Sequence, residues 1–244
     1  MNIAIISGAS SGIGRAITKE LDKKGLDQLW LIALDQDGLD NLGKELNTNV
    51  KLFSLDLTNK DSFETIKSSL QADKPQIEYL VCSAGVGFNG DFDKISDKGI
   101  SLTIELNCLA LTLLTKCVEP YFTNGTKVIE IASGSGFAPQ PGFSVYAASK
   151  SYVISLSRAL NKEFKKKGVS FTAVCPGPVD TSFFASLENV KEYKKKFVIT
   201  PDKVAKKAIK SADKRRALCV PSLSMKLFHL ASKIVPTSIL ISFC

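Results

Sequence analysis

Residues 3–14 read Ile3-Ala4-Ile5-Ile6-Ser7-Gly8-Ala9-Ser10-Ser11-Gly12-Ile13-Gly14. An apolar run, a turn with three glycines and a 3.6-residue apolar pattern through Ala16, Ile17 and Leu21 predict strand, tight turn and helix. Gly8 suits the tight turn. Gly12 lets the backbone approach a pyrophosphate, and Gly14 lets helix and strand pack closely. The helix N-terminus then turns unpaired N–H groups and a partial positive charge toward phosphates. Ser10, Ser11 and Ile13 complete this candidate cofactor turn. Gly-x-x-x-Gly-x-Gly has a longer turn than the commoner Gly-x-Gly-x-x-Gly.

Strand-like runs recur at 3–7, 29–34, 50–54, 78–83, 127–132 and 170–175, with amphipathic segments near 13–24, 37–46, 60–72, 100–118 and 147–166. Regular β/α alternation predicts a parallel sheet covered on both faces. Right-handed crossovers make it a single-domain α/β fold, Rossmann-like and doubly wound, with nucleotide at the carboxyl ends of the strands. No repeat or low-complexity segment interrupts it. Residues 1–200 read as the dinucleotide-binding and catalytic domain, and 201–244 as an extension packing on it, at an interface or on a membrane surface.

Further along, Tyr146 and Lys150 stand four residues apart, with Ser133 thirteen upstream. A helix puts i and i+4 on one face. An ammonium there favours the phenolate and makes the tyrosine a usable acid and base. Moving a tyrosine from about 10 to about 7 needs roughly 4 kcal/mol. One lysine falls short of that, so a second positive group, such as a nicotinamide ring, is expected nearby. The pair alone is a weak signal. It gains its meaning from the glycine turn.

Together these pieces resemble the short-chain dehydrogenase/reductase family over residues 1 to about 182. Ser7 to Gly14 looks like its glycine motif, with serine where threonine is usual. Ser133, Tyr146 and Lys150 match its catalytic triad, and Asn107 matches the asparagine that completes the tetrad. Pro176-Gly177-Pro178-Val179-Asp180-Thr181 is similar to the segment after the sixth strand, and the resemblance gives Thr181 the contact with the nicotinamide carboxamide. Asp56-Leu57 looks like the adenine-contacting pair after the third strand. The family's Asn-Asn-Ala-Gly after the fourth strand reads Cys82-Ser83-Ala84-Gly85 here. Ala84-Gly85 still admit the adenosine ribose, but the missing asparagine requires rearranged hydrogen bonding. After the second strand, Ala33-Leu34-Asp35-Gln36-Asp37 matches neither the phosphate-preferring nor the NAD-preferring pattern cleanly. Asp35 stands twenty-one residues beyond Gly14, near the spacing of a carboxylate that binds a ribose 2′-hydroxyl. With no arginine there, NAD(H) is favoured over NADP(H); the other reading makes Asp35 a plain loop residue.

Composition narrows the rest. The 244 residues, 44% hydrophobic, suffice for one sizeable core. No secretory signal pattern precedes the first strand. Six scattered cysteines without Cys-x-x-Cys, and a single histidine, His229, predict no metal site and a reducing, cytoplasmic setting. The net charge of +8 is local. Residues 190–216 hold eleven Lys/Arg against Glu192, Asp202 and Asp213, which equals the whole surplus. The run lacks the regular aromatic interleaving of a single-strand groove, so nucleic acid is not expected. A solvated helix face, an anionic membrane surface or an acidic substrate remains.

Residues 177–200 read as a substrate lid, with Phe183 and Phe184 as lid or core anchors. Residues 222–235 predict an amphipathic helix edged by Lys226 and Lys233, too short to span a bilayer. That helix closes the substrate pocket, joins a subunit interface or touches a membrane, with peripheral contact through 203–244. The expected activity is alcohol–carbonyl interconversion by hydride transfer on a small substrate, bulky or lipid-like. A homo-oligomer through the helices near 100–118 and 149–166 is implied by the resemblance. Two competitors are a non-catalytic NAD(P)-binding sensor and a hydrolase using Gly-x-Ser-x-Gly at Ser10 with Asp202 or Asp213 and His229.

Overall fold

The structure, a computed structural model, describes residues 1–185, 187 and 197–243. Seven parallel strands are described: β1 (Asn2–Ser7), β2 (Gln28–Ala33), β3 (Asn49–Ser54), β4 (Gln76–Cys82), β5 (Phe122–Ile131), β6 (Ser170–Val174) and β7 (Leu218–Cys219). Their order across the sheet is β3-β2-β1-β4-β5-β6-β7. The chain winds outward one way from β1 and returns to start β4 on the other side. The topological switch therefore lies between β1 and β4, where Ser7 stands beside Cys82. Ile3 to Ile6 have no exposed surface, as expected of a strand buried on both faces.

Helices α1 (Gly12–Leu21), α2 (Gln36–Glu45) and α8 (Pro201–Asp213) cover one face, meeting the sheet through Ile17, Leu39 and Val204. Helices α3 (Asp61–Asp73), α5 (Leu111–Val118) and α6 (Ser144–Glu163) cover the other through Ile66, Leu114 and Val153. α4 (Asp97–Ile104) runs into α5 through a π turn at Glu105–Ala110. By length and composition the helix 97–121 could cross a membrane, but Leu111, Leu114 and Val118 place it in the core. The short α7 (Ser182–Ala185) follows β6, and α9 (Leu223–Ile234) and α10 (Thr237–Phe243) follow β7.

The lysine run resolves in part. Among the described residues, α8 turns Val204, Ala205, Ala208, Ile209 and Ala212 inward and its lysines outward. Pro201 at its first turn and Thr200, which accepts from Lys203 N–H, fix its start. Lys191 and Lys194–Lys196, with residues 186 and 188–196 of the lid, lie outside the described residues.

Two elements differ from expectation. β7 was not foreseen, since two residues carry no readable period. β5 begins at Phe122, before the apolar run, because Thr123 and Asn124 are exposed at its entry.

Candidate active site

The glycine turn emerges from β1 at the switch point. Gly8 and Gly12 both have positive φ, 66° and 52°. A Cβ on Gly8 would stand 2.8 Å from Ala84 N, so β1 and the β4 loop can approach only through glycine. A Cβ on Gly14 would run into the Gly8 carbonyl. Ser11 caps α1 in extended conformation without a side-chain hydrogen bond, so the first N–H groups of the helix are free to meet an anion. This backbone cradle fits a pyrophosphate. Thr181 closes its far side, with Cγ2 3.3 Å from where a Gly12 Cβ would be.

The missing asparagine is compensated by Ser7. Its hydroxyl accepts from Ser83 N–H at 3.1 Å and Ala84 N–H at 3.3 Å, and donates to Val81 carbonyl at 3.4 Å. Asp35 caps α2, accepting from Gly38 N–H at 3.0 Å. Gly38 is also close to Ser10 Cβ, so this carboxylate adjoins the glycine turn. Asp56 accepts from Thr58 N–H and Oγ1 within its own exposed turn, while the Leu57 side chain is buried in the core. Only backbone at Leu57 can face a ligand.

Beyond the switch point, α6 carries Tyr146 and Lys150 on one face, and β5 delivers Ser133 opposite them. All three are under 9% exposed. Ser133 Oγ accepts from Ser135 N–H at 3.1 Å and stands near enough to Tyr146 to lower the phenol's pKa. Lys150 Nζ donates to Ile131 carbonyl at 2.9 Å and lies 5.6 Å from the Tyr146 ring centre. The π turn swings Asn107 inward, where Oδ1 accepts from Val86 N–H at 2.9 Å. Its Nδ2 donates to Val86 carbonyl at 2.8 Å and to Ser149 Oγ at 3.0 Å. Such local widening often marks a functional residue. Ser133, Tyr146, Lys150 and Asn107 thus converge beside Gly85, where a Cβ would stand 2.9 Å from Asn107 Oδ1 and 3.3 Å from Lys150 Nζ.

Burial dominates the electrostatics of the pair. It pushes Tyr146 up to about 12, against the nearby Ser133 side chain, which lowers it. Burial likewise brings Lys150 down to about 8. For both groups desolvation is the largest cause. A second positive group near the phenol is still expected from the chemistry, and the glycine cradle fits the pyrophosphate of a nicotinamide dinucleotide.

Some contributors were legible and others were not. Phe143, unmarked in sequence, stacks on Tyr146 at 4.3 Å, and Phe183, expected as a lid or core anchor, lies 5.5 Å away. Ser149 steadies Asn107, and its only sequence signal is its place between Tyr146 and Lys150. α9 also reaches the site: Met225 packs on Gly134 and Gly177, and His229 lies 4.4 Å from Phe137. The Pro176 carbonyl accepts from Gly134 N–H at 2.7 Å, and Val179 pairs with Ile199 to pin the lid's base. The hydrolase reading is not assembled. Asp213 is held by Lys24 and Tyr79, and His229 faces Phe137. Among the described residues no cluster suits a metal.

Known proteins resemble this chain in sequence and fold. An uncharacterized oxidoreductase of Staphylococcus epidermidis is 30% identical over 181 residues, 73% of this chain and 78% of that protein. The very-long-chain 3-oxoacyl-CoA reductase of Bos taurus is 31% identical over 189 residues, covering 73% of this chain and 59% of the relative. The structure of a short-chain dehydrogenase from Sphingobium yanoikuyae in complex with NADPH is 29% identical, covers all of this chain and superposes with a TM-score of 0.82. The family model for short chain dehydrogenases matches residues 2–192, and the chain accordingly belongs to the short-chain dehydrogenase/reductase family of NAD(P)-dependent enzymes.

Proposed function

We propose that this enzyme interconverts an alcohol and a carbonyl, with Tyr146 as the general acid and base. The observation that carries the reading is the joint burial of Ser133, Tyr146 and Lys150, with Lys150 one helical turn beyond Tyr146 and its Nζ 5.6 Å from the Tyr146 ring centre. The bound nicotinamide group supplies or accepts the hydride. Tyr146, protonated at neutral pH, gives its proton to the carbonyl oxygen in reduction and takes it back in oxidation. Ser133 hydrogen-bonds the same oxygen and fixes its position. Lys150 would hold the ribose hydroxyls, and Asn107 would order a water that links Lys150 to solvent.

Gly8, Ser10, Ser11, Gly12, Ile13 and Gly14 would hold the pyrophosphate, and Asp56, Leu57, Ala84 and Gly85 the adenosine side. Pro176, Gly177, Val179 and Thr181 would hold the carboxamide side. Asp35 beside Ser10 favours NAD(H) over NADP(H), since its carboxylate accepts a ribose hydroxyl and repels a 2′-phosphate. NADH and NADPH titrations read this directly; equal affinity would remove the role of Asp35. The aromatic wall of Phe143 and Phe183 beside Tyr146 suits a bulky or lipid-like carbonyl. Homo-oligomerisation through α4–α5 and α6, and peripheral membrane contact through 203–244, belong to the same reading.

Tyr146→Phe tests the role. Turnover should fall about 10²–10⁴-fold while NADH binding, followed by fluorescence, stays intact. Retained turnover would remove Tyr146 as the proton donor.

A further inference from the structure

α9 is apolar on two opposite faces. Its inner face is anchored, with Met225 against Gly134 and Gly177 and His229 against Phe137. Its outer face shows Leu223 at 73%, Leu227 at 61%, Leu230 at 56% and Ile234 at 73% exposure. These four recur at i, i+4, i+7 and i+11, which is one continuous helical stripe. Among the described residues nothing explains it, because a helix docked on a protein normally turns polar residues outward. Ile239 of α10, 49% exposed, adds to the apolar surface after the Pro236 bend.

The charges around the stripe are of one sign. At about 100° per residue, Lys226 and Lys233 lie along one edge of it. Arg158 of α6 is close enough to His229 to help hold that imidazole below its usual pKa. Lys207 of α8 donates to the Pro221 carbonyl, which brings the outward lysine face of α8 to the start of α9. Residues 214–244 contain no Asp or Glu.

We propose that the outer face of α9 docks on the surface of an anionic bilayer. Leu223, Leu227, Leu230 and Ile234 enter the headgroup–acyl boundary, and Lys226 and Lys233 snorkel to the phosphates. A second copy of the chain fits less well. A two-fold contact presents the same positively charged patch from both sides, and residues 214–244 offer no acid to pair with its lysines. The inference narrows the membrane contact of the previous reading to one face and one lipid charge, and its test does not depend on turnover.

The test is co-sedimentation of the full chain with vesicles of phosphatidylcholine alone, or of phosphatidylcholine and phosphatidylserine in equal parts. The wild type should partition onto the mixed vesicles at least about tenfold better, with the preference reduced by salt. Leu227→Ser with Leu230→Ser should lower that binding about tenfold or more. Both positions are exposed, and NADH binding checks that the variant is folded. Lys226→Glu with Lys233→Glu should abolish the preference for phosphatidylserine. As an independent reading, Leu230→Trp should shift its emission to the blue on mixed vesicles, while the native Trp30 is fully buried. Three outcomes overturn the proposal. The wild type stays in solution with both vesicles; the double serine variant binds as the wild type does; or the stripe mediates a larger species in gel filtration that the serine variant dissociates, without vesicle binding.

Discussion

Tyr146 and Lys150 show why residue identity and residue state are separate questions. Spacing in the sequence identifies the pair, but burial sets their protonation. Lys150 sits at about 8, below its unfolded value of 10.5. Between those two values the unfolded chain binds more protons than the folded one, so this residue's cost to stability is full below about 8 and fades as pH rises. The unfolding free energy of the wild type, relative to Lys150→Met, should therefore increase between about pH 7.5 and about pH 9.5. Denaturant titration of both proteins measures it. A flat difference would mean that Lys150 is solvated. At this scale the sequence was readable for Ser133, Tyr146, Lys150 and Asn107, because each belongs to a recognisable pattern. Ser7, Ser149 and Phe143 were not, because their roles consist of contacts with residues distant in the chain or across a turn.

The strand–turn–helix unit of β1 and α1 is the element that the sequence specified most fully. Its glycines follow from local collisions. Gly14 is helical in backbone, yet its missing side chain leaves room for the Gly8 carbonyl. Gly14→Ala should force the turn off the helix, at about 1–3 kcal/mol for an overpacked contact. Tm should then fall by roughly 2–10 °C, and NADH affinity should drop with it. A variant that binds NADH normally would dissociate the cradle from the cofactor. The π turn between α4 and α5 was invisible by contrast. Its extra residue leaves the apolar period of 100–118 almost intact, while rotating Asn107 toward Val86 and Ser149.

At the scale of the whole molecule, the central strand β5 carries a carboxyl group into the core. Glu130 is fully buried between β5 and the α5 side, with Thr115 Oγ1 at 3.5 Å from Oε1 and no partner for Oε2 among the described residues. Burial raises it to about 7, from 4.5. A carboxyl raised on folding stabilises the native state at low pH, and that contribution is lost as pH climbs through the folded value. Glu130→Gln should thus gain stability on the wild type by about 2–3 kcal/mol between about pH 5 and about pH 8. Unfolding curves at the two pH values decide it. An unchanged difference would mean that Glu130 is ionised and paired. In sequence, this glutamate stood in an apolar run with nothing to mark it.

Alternating β and α runs specified the parallel sheet, the glycine spacing specified the turn between β1 and α1, and the Tyr–Lys pair with its upstream serine pointed to the candidate site, all from the sequence alone. Those are local properties, set by periodicity and steric demand within a few residues. Tertiary structure decided the rest. It made two-residue β7 a strand by giving it β6 as a partner, and it turned α9 so that Met225 faces the catalytic loop while Leu227 faces outward. It also set the protonation of Tyr146, Lys150 and Glu130. Burial, desolvation and the choice of face depend on what packs from elsewhere in the chain, and no local pattern carries that information.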